Sequence, residues 1–318
     1  MFNRREFVGL GALSLCANLL PHRCFSDVGS VSAKLKFEKI TIKAGAARPF
    51  GALHVSDTHL ASMDAEEAAA GKVVEYVGKR GKHFADAPAM FAATLKYVEK
   101  KKLPILHTGD LVDFMSERNF AIAKPGFVGA NKMLVSRGNH DYWNPADPKG
   151  QNWRADQQRV KKVFPNDLVC AAREINGVNF VAIDNGDGQI GEHVFGRMKA
   201  EFDKGMPVVL LMHVPFYSEK LFNVSFYDRG GGKTSGTASL TGVPAEKVTE
   251  LYRGIWKTRD LPHASTVKAI EFLKVNRQLK AVLCGHLHFA YSERFSETAV
   301  QYVAGGHFNG EGYEISFT

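Results

Sequence analysis

Residues 133–141 read MLVSRGNHD, an apolar run of Met133, Leu134 and Val135 that breaks into Gly138, Asn139, His140 and Asp141. Gly, Asn and Asp are turn formers, so a strand ending in a tight turn accounts for this stretch alone. Three further stretches end apolar runs in the same way: VSDTHL (55–60), HTGDLVD (107–113) and CGHLH (284–288). Each leaves metal-binding types of side chain at a strand end. In an open α/β sheet ligands gather beyond the carboxyl ends of the strands, so residues far apart in sequence can form one site there.

Working outward, short apolar runs alternate with longer helical patterns. Strands are expected at Leu35–Lys43, Phe50–Ser56, Ile105–Thr108, Met133–Val135, Val169–Arg173, Val178–Asp184, Val208–Met212 and Ala281–Cys284. Helices are expected at Pro88–Lys101, Gln151–Val163, Glu192–Lys204 and Ser265–Asn276. After Phe289 the segments SERFSE, AVQYVAG and GYEISFT read as antiparallel strands joined by Gly-rich turns. The fold class is α/β. A site spread from Asp57 to His288 cannot straddle independent halves, so residues 34–318 are expected to form a single domain with insertions at about 61–86 and 218–263. The second insertion contains RGGGKTSGT, which fails as a phosphate loop because Tyr227 stands where the first glycine is needed. It reads as a surface loop.

The chain has 318 residues, 45% hydrophobic and 23% charged, which is enough for one large core or two modest ones. Its net charge of +8 lies in short clusters, Lys100–Lys102 and Lys161–Lys162, with no interleaved aromatic pattern, so nucleic acid is an open but unindicated partner. Residues 1–20 are of another kind: MFNRREF is basic, and VGLGALSLCANLL (8–20) is an apolar run shorter than the roughly 20 residues that span a bilayer. Arg4-Arg5-Glu6-Phe7-Val8 resembles the twin-arginine export signal. That resemblance implies a signal and linker over 1–33, cut near Ser26 or Ala33, the twin-arginine export machinery as a partner, and an exported, periplasmic protein. Processing as a lipoprotein at Cys16 is disfavoured by Leu15. Of the four cysteines, Cys170 and Cys284 sit in apolar strands and read as buried thiols without a bridge.

Asp57 and His59 are alternate residues leaving a strand, and Asp110, Asn139, His286 and His288 stand at comparable ends. Carboxylates and imidazoles with one amide oxygen suit first-row divalent metals better than calcium. The set exceeds what one ion takes, and two ions sharing Asp110 would use it, the usual arrangement for attack on phosphate esters.

With these motifs the chain resembles the calcineurin-like metallophosphoesterases. Their signature appears as Asp57-Thr58-His59, Gly109-Asp110-Leu111-Val112-Asp113, Gly138-Asn139-His140-Asp141, His213 in MHVP, and Gly285-His286-Leu287-His288. The resemblance implies a four-layer αββα sandwich and a dinuclear hydrolase. Asp57, His59, Asp110 and His288 would hold one ion, and Asp110, Asn139, His213 and His286 the other; Mn, Fe, Zn and Ni, divalent or mixed-valence, are the open choices. A metal-bridging hydroxide would attack phosphorus while His140, oriented by the Asp113 carboxylate, protonates the leaving oxygen. Asp113 stands where purple acid phosphatases carry tyrosine, and Phe114 where protein Ser/Thr phosphatases carry arginine, which speaks against both branches. A small phosphate mono- or diester is the expected substrate. A nuclease, a phospholipid-directed esterase and a non-catalytic metal-bound binding protein are the alternatives, and oligomeric state stays open. His54 and His107 precede their turns and read as core residues, and His307 in GGHFNG is a further candidate to line the site.

Overall fold

The computed structural model describes residues 34–64, 74–129, 132–145, 147, 151–229, 239–247 and 261–318. The expected signal and all of RGGGKTSGT except Arg229 lie outside them. In chain order the principal elements are β1 (Lys36–Ile42), β2 (Phe50–Val55), α1 (Val74–His83), α2 (Ala87–Lys101), β3 (Ile105–His107), α3 (Glu117–Ala123), β4 (Leu134–Val135) and α4 (Trp153–Val163). They continue with β5 (Cys170–Ile175), β6 (Val178–Ile183), α5 (Glu192–Phe202), β7 (Val208–Leu211), α6 (Glu219–Asn223), α7 (Ala264–Val275), β8 (Leu279–Cys284), β9 (Tyr291–Arg294), β10 (Val300–Val303) and β11 (Glu311–Phe317). Two mixed sheets result, ordered β1-β11-β2-β3-β4 and β5-β6-β7-β8-β10-β9.

The central strands are mostly apolar because each is covered on both faces, and successive side chains serve different cores. In the second sheet Val209, Leu211, Ala281 and Leu283 point at the first sheet and meet Ala52, Leu106 and Leu134. Their neighbours Val208, Leu210, Val282 and Cys284 point away, onto Met198 and Phe202 of α5 and Leu273 of α7. In the first sheet Leu53, Val55, Ile105 and Val135 pack outward on Phe91 and Val98 of α2 and Val160 of α4. Three apolar layers thus separate helices, sheet, sheet and helices, the expected αββα sandwich. Cys170 and Cys284 are buried free thiols.

The C-terminal strands are not simply antiparallel. β10 runs antiparallel to β9 but parallel to β8, and β11 runs antiparallel to β2 but parallel to β1. The sequence shows turns, which favour antiparallel neighbours, but not that β11 travels to the other sheet and lies between β1 and β2. The strand read at Met133–Val135 shortens to Leu134–Val135, since Met133 N–H is taken by the Gly126 carbonyl. α1, α3 and α6 were not expected. α3 and α6 are short, and their signals are the capping serines Ser116 and Ser218, which accept N–H bonds from Asn119 and Leu221. The interval read as an insertion at Ala61–Asp86 carries α1, which returns the chain to the site.

The strands β2, β3 and β4 run parallel, as do β6, β7 and β8. The carboxyl ends of β2, β3, β4, β7 and β8 carry the motifs and meet at one end of the sandwich.

Candidate metal centre

Within each sheet main-chain hydrogen bonds continue past the strands. Asp57 N–H donates to Gly109 O at 3.0 Å, His59 N–H to Asp110 O at 2.9 Å, and Gly285 N–H to His213 O at 3.0 Å. In the loops that follow, Asp57 (φ 55°), His59 (φ 49°), Asp110 (φ 52°), His286 (φ 70°) and His288 (φ 57°) adopt left-handed backbone conformations. Side chains other than glycine avoid that region, at a cost of about 1–3 kcal/mol each, and tolerate it where the surroundings impose it, typically at functional sites. Two glycines permit the close approach. A Cβ at Gly285 would stand 1.8 Å from Ser56 Oγ and 2.4 Å from Asp57 Oδ2, and one at Gly138 would stand 2.1 Å from Asp110 Oδ1.

Both buried carboxylates are divided in function between their oxygens. Asp57 Oδ2 accepts the His286 N–H at 2.8 Å, and Asp110 Oδ1 accepts the His140 N–H at 2.8 Å. The second oxygens face imidazoles: Asp57 Oδ1 lies 3.3 Å from His288 Nε2 and 3.8 Å from His59 Nε2, while Asp110 Oδ2 lies 3.7 Å from His59 Nε2 and 3.3 Å from His213 Nε2. Asp57 Oδ1 is buried with no hydrogen-bond donor. Asn139 Oδ1 and His286 Nδ1 complete the second group, 3.1 Å and 3.2 Å from His213 Nε2. The sets Asp57–His59–His288 and Asp110–His213–His286 each bring their ligand atoms within 4.8 Å of one another, as does His59–Asp110–His140.

The ring nitrogens that point away from the centre are held, which fixes the lone pairs that point in. His59 Nδ1 donates to Asp113 Oδ1 at 2.9 Å and His213 Nδ1 to the Thr108 carbonyl at 2.8 Å, and His286 Nε2 lies 2.8 Å from Ser239 Oγ, which is able to accept its proton. These oriented imidazoles, the unpartnered Asp57 oxygen and the mixed N and O donors fit transition-metal ions.

Charge points the same way. Burial would raise Asp57 and Asp110, but the imidazoles of His288 and His213 beside the first, and of His213 and His140 beside the second, outweigh it and hold both carboxyls well below their usual range. Burial likewise opposes charge on His213, yet Asp110 and Asp57 raise it to about 9. The two carboxylates therefore demand positive charge, and a proton on His213 and a metal cation are alternative ways to supply it. His59, where burial outweighs the neighbouring Asp113 and Asp110, is shifted down.

Asp141 closes the GNHD turn from beneath. Its Oδ2 accepts N–H bonds from Gly138 at 2.7 Å and Asp110 at 3.0 Å, and its Oδ1 accepts from Leu111 at 3.0 Å and Val112 at 3.2 Å. The turn and the Asp110 loop are thereby one unit. Asn185 does the same for His213, accepting the His213 N–H at 2.8 Å.

The expected His140–Asp113 dyad takes a different form. His140 Nδ1 bonds the main-chain carbonyl of Asp113 at 2.8 Å, and the carboxylate lies 3.5 Å away. That carboxylate instead holds His59 and accepts Arg80 Nε at 2.8 Å and Arg80 Nη2. Burial works against its charge, but Arg80 and His59 prevail and lower Asp113 to about 2. His307 does not line the site. It lies behind it, bonded to Thr58 Oγ1 at 3.0 Å and Thr94 Oγ1 at 2.8 Å, and burial lowers it to about 4. His54 and His107 are core residues as expected, bonded to Thr108 and Thr58.

Arg80, Phe84, Ser239 and Phe308 escaped the sequence reading. Phe84 stacks on His59 at 4.5 Å and 6°, and Phe308 meets His288 edge-on at 5.1 Å. None belongs to a motif, and Arg80, Phe84 and Ser239 come from the intervals read as insertions.

Residues 52–290 match the family described as Calcineurin-like phosphoesterase. No curated protein matches the sequence. Solved structures of similar shape include a dimetal phosphatase from Danio rerio, 11% identical over 83% of this chain and 89% of that one, with a TM-score of 0.43. Another is a Staphylococcus aureus structure provisionally assigned as a 5′-nucleotidase, bound to alpha-ketoglutarate, 11% identical over 82% of this chain and 49% of that one, with a TM-score of 0.41.

Proposed function

Because the chain belongs to the calcineurin-like phosphoesterase family, we propose that it hydrolyses small phosphate mono- or diesters with two transition-metal ions, one held by Asp57, His59, Asp110 and His288 and the other by Asp110, Asn139, His213 and His286. The observation that carries this reading is the position of Asp110. One of its oxygens is anchored on the His140 N–H, and the other faces His59 Nε2 at 3.7 Å and His213 Nε2 at 3.3 Å, one imidazole from each set.

Bound ions of this kind polarise phosphoryl oxygens and lower the pKa of water, which supplies a nucleophile at neutral pH. The chain's own part is to place the ligands and to move a proton. His140 Nδ1–H donates to the Asp113 carbonyl, so Nε2 is the ring atom able to give a proton to the departing ester oxygen. Hydrolysis then adds hydroxide to phosphorus, breaks the bond to the leaving oxygen and returns that oxygen as an alcohol. Asp113 serves His59 directly and His140 through its main chain, linking the ligand shell to the acid.

Elemental analysis of the purified protein, with nitrophenyl mono- and diesters assayed under Mn, Zn, Fe and Ni, tests the proposal. Two ions and turnover are expected in the wild type, and loss of both ions in Asp110→Ala. Two tightly held ions in Asp110→Ala would refute the shared ligand, and bound ions without turnover of any ester would favour a binding protein. Preferential turnover of oligonucleotides or phospholipid headgroups would move the assignment to a nuclease or lipid-directed esterase.

A further inference from the structure

The intervals between motifs, at 61–86 and 218–263, each return to the centre with one polar side chain, Arg80 and Ser239, bonded to its histidine–carboxylate cluster. Arg80 of α1 forks onto Asp113, with Nε on Oδ2 at 2.8 Å and Nη2 on Oδ1, and Oδ1 in turn accepts the His59 Nδ1–H at 2.9 Å. Two features fix α1 in this place: Phe84 lies flat on the His59 ring at 4.5 Å, and the Arg80 guanidinium covers Phe84 at 4.7 Å. The imidazole is thus held on one face by Phe84 and along its Nδ1 direction by the Arg80–Asp113 pair. A guanidinium fork onto a carboxylate fixes both oxygens in one plane, which a single contact does not.

On the other side, Ser239 is buried and its Oγ lies 2.8 Å from His286 Nε2. Its segment is clamped to the end of β7, since Thr241 N–H donates to Pro215 O at 2.7 Å, Tyr217 N–H donates to Thr241 O at 2.9 Å, and Thr241 Oγ1 donates to Val214 O at 2.9 Å. The hydroxyl therefore sits on a fixed piece of backbone. When it accepts Nε2–H, the lone pair is left on His286 Nδ1, which lies 3.2 Å from His213 Nε2.

We infer that each inserted segment supplies the positioning residue for one metal ligand, Arg80 acting through Asp113 on His59 and Ser239 acting on His286, so that the two segments set the affinity for different ions. This inference rests on the two-ion reading above. It gives the insertions a task besides overhanging the site: each ion is held to full strength only when its own segment is docked.

The test is metal titration of the full chain against a chromophoric chelator, with Mn and Zn as probes, in wild type, Arg80→Ala, Arg80→Lys and Ser239→Ala. Outer partners of metal-bound histidines are worth roughly 10- to 100-fold in affinity. Arg80→Ala should weaken one binding step by that factor and Arg80→Lys by less, since lysine keeps the charge and loses the fork. Ser239→Ala should weaken the other step. Double mutants assign the steps: Arg80→Ala should add nothing to His59→Ala and keep its whole effect in His286→Ala, and Ser239→Ala should behave the opposite way. A general loss of stability would weaken both steps alike in either variant, and that result, or no change in either step, overturns the inference while leaving the two-ion reading intact. A wild-type protein that binds fewer than two ions overturns both.

Discussion

Gly138→Ala perturbs the centre without removing a ligand. A methyl carbon there would stand 2.1 Å from Asp110 Oδ1 and 2.2 Å from Asp110 N, where ordinary contact begins at 3.4 Å. The shortfall cannot be relieved by a rotamer change, because Asp110 Oδ1 is pinned by the His140 N–H and the Asp110 N–H is pinned by Asp141. The turn must therefore move from the Asp110 loop by roughly 1 Å, several times the roughly 0.2 Å tolerance of a metal–ligand distance. Overpacking of this kind costs about 1–3 kcal/mol of stability, which a domain of ordinary stability survives. The expected result is a folded protein with weakened metal binding and turnover lower by on the order of 100-fold. Gly196→Ala is the control: it lies in α5 with nothing near the new carbon. There alanine should raise stability by about 0.5–1 kcal/mol and leave activity alone. The assays are elemental analysis, denaturant unfolding and ester hydrolysis. A Gly138→Ala protein that keeps two ions and works within about tenfold of wild type would refute this account of the turn.

His140→Ala should retain its metal and lose turnover by about 10²–10⁴-fold, more for an alkyl ester than for a nitrophenyl ester, which leaves without a proton; loss of one ion would instead make His140 a ligand. Thr94→Val removes the acceptor of the His307 Nε2–H, 2.8 Å away in the buried chain Thr94–His307–Thr58–His107. It should destabilise the fold by about 1–3 kcal/mol in urea unfolding, and an unchanged midpoint would show that the chain is not needed. Replacing Arg4 and Arg5 by lysine should block export, measured by cell fractionation; efficient export of the double-lysine form would sink the twin-arginine reading.

The sequence by itself determined the class of fold and picked out the motif residues that the fold brings together. Strands buried on both faces are mostly apolar, so β2, β3, β6, β7 and β8 stood out as short, largely apolar runs, and polar metal-binding residues just past their ends project beyond the sheet. Asp57, His59, Asp110, Asn139, His213, His286 and His288 were legible for that reason, each fixed by a local motif. What only the tertiary structure decided is what touches what across the two sheets. The path of β11 back between β1 and β2 depends on pairing over the whole length of the chain, and no local pattern encodes it. The Asp113 carboxylate turned to His59 because Arg80, 33 residues earlier, reaches it, and the main-chain carbonyl was left to His140. His307 went behind the centre because Thr58 and Thr94 offer its two nitrogens partners there. The left-handed backbones of Asp57, His59, Asp110, His286 and His288 are only weakly signalled by residue type, since Asp and His enter that region more often than other side chains but still uncommonly. They accompany hydrogen bonds between loops, Asp57 to Gly109 and His59 to Asp110 within one sheet and the His286 N–H to Asp57 Oδ2 across the two, and the last of these forms only once both sheets are packed.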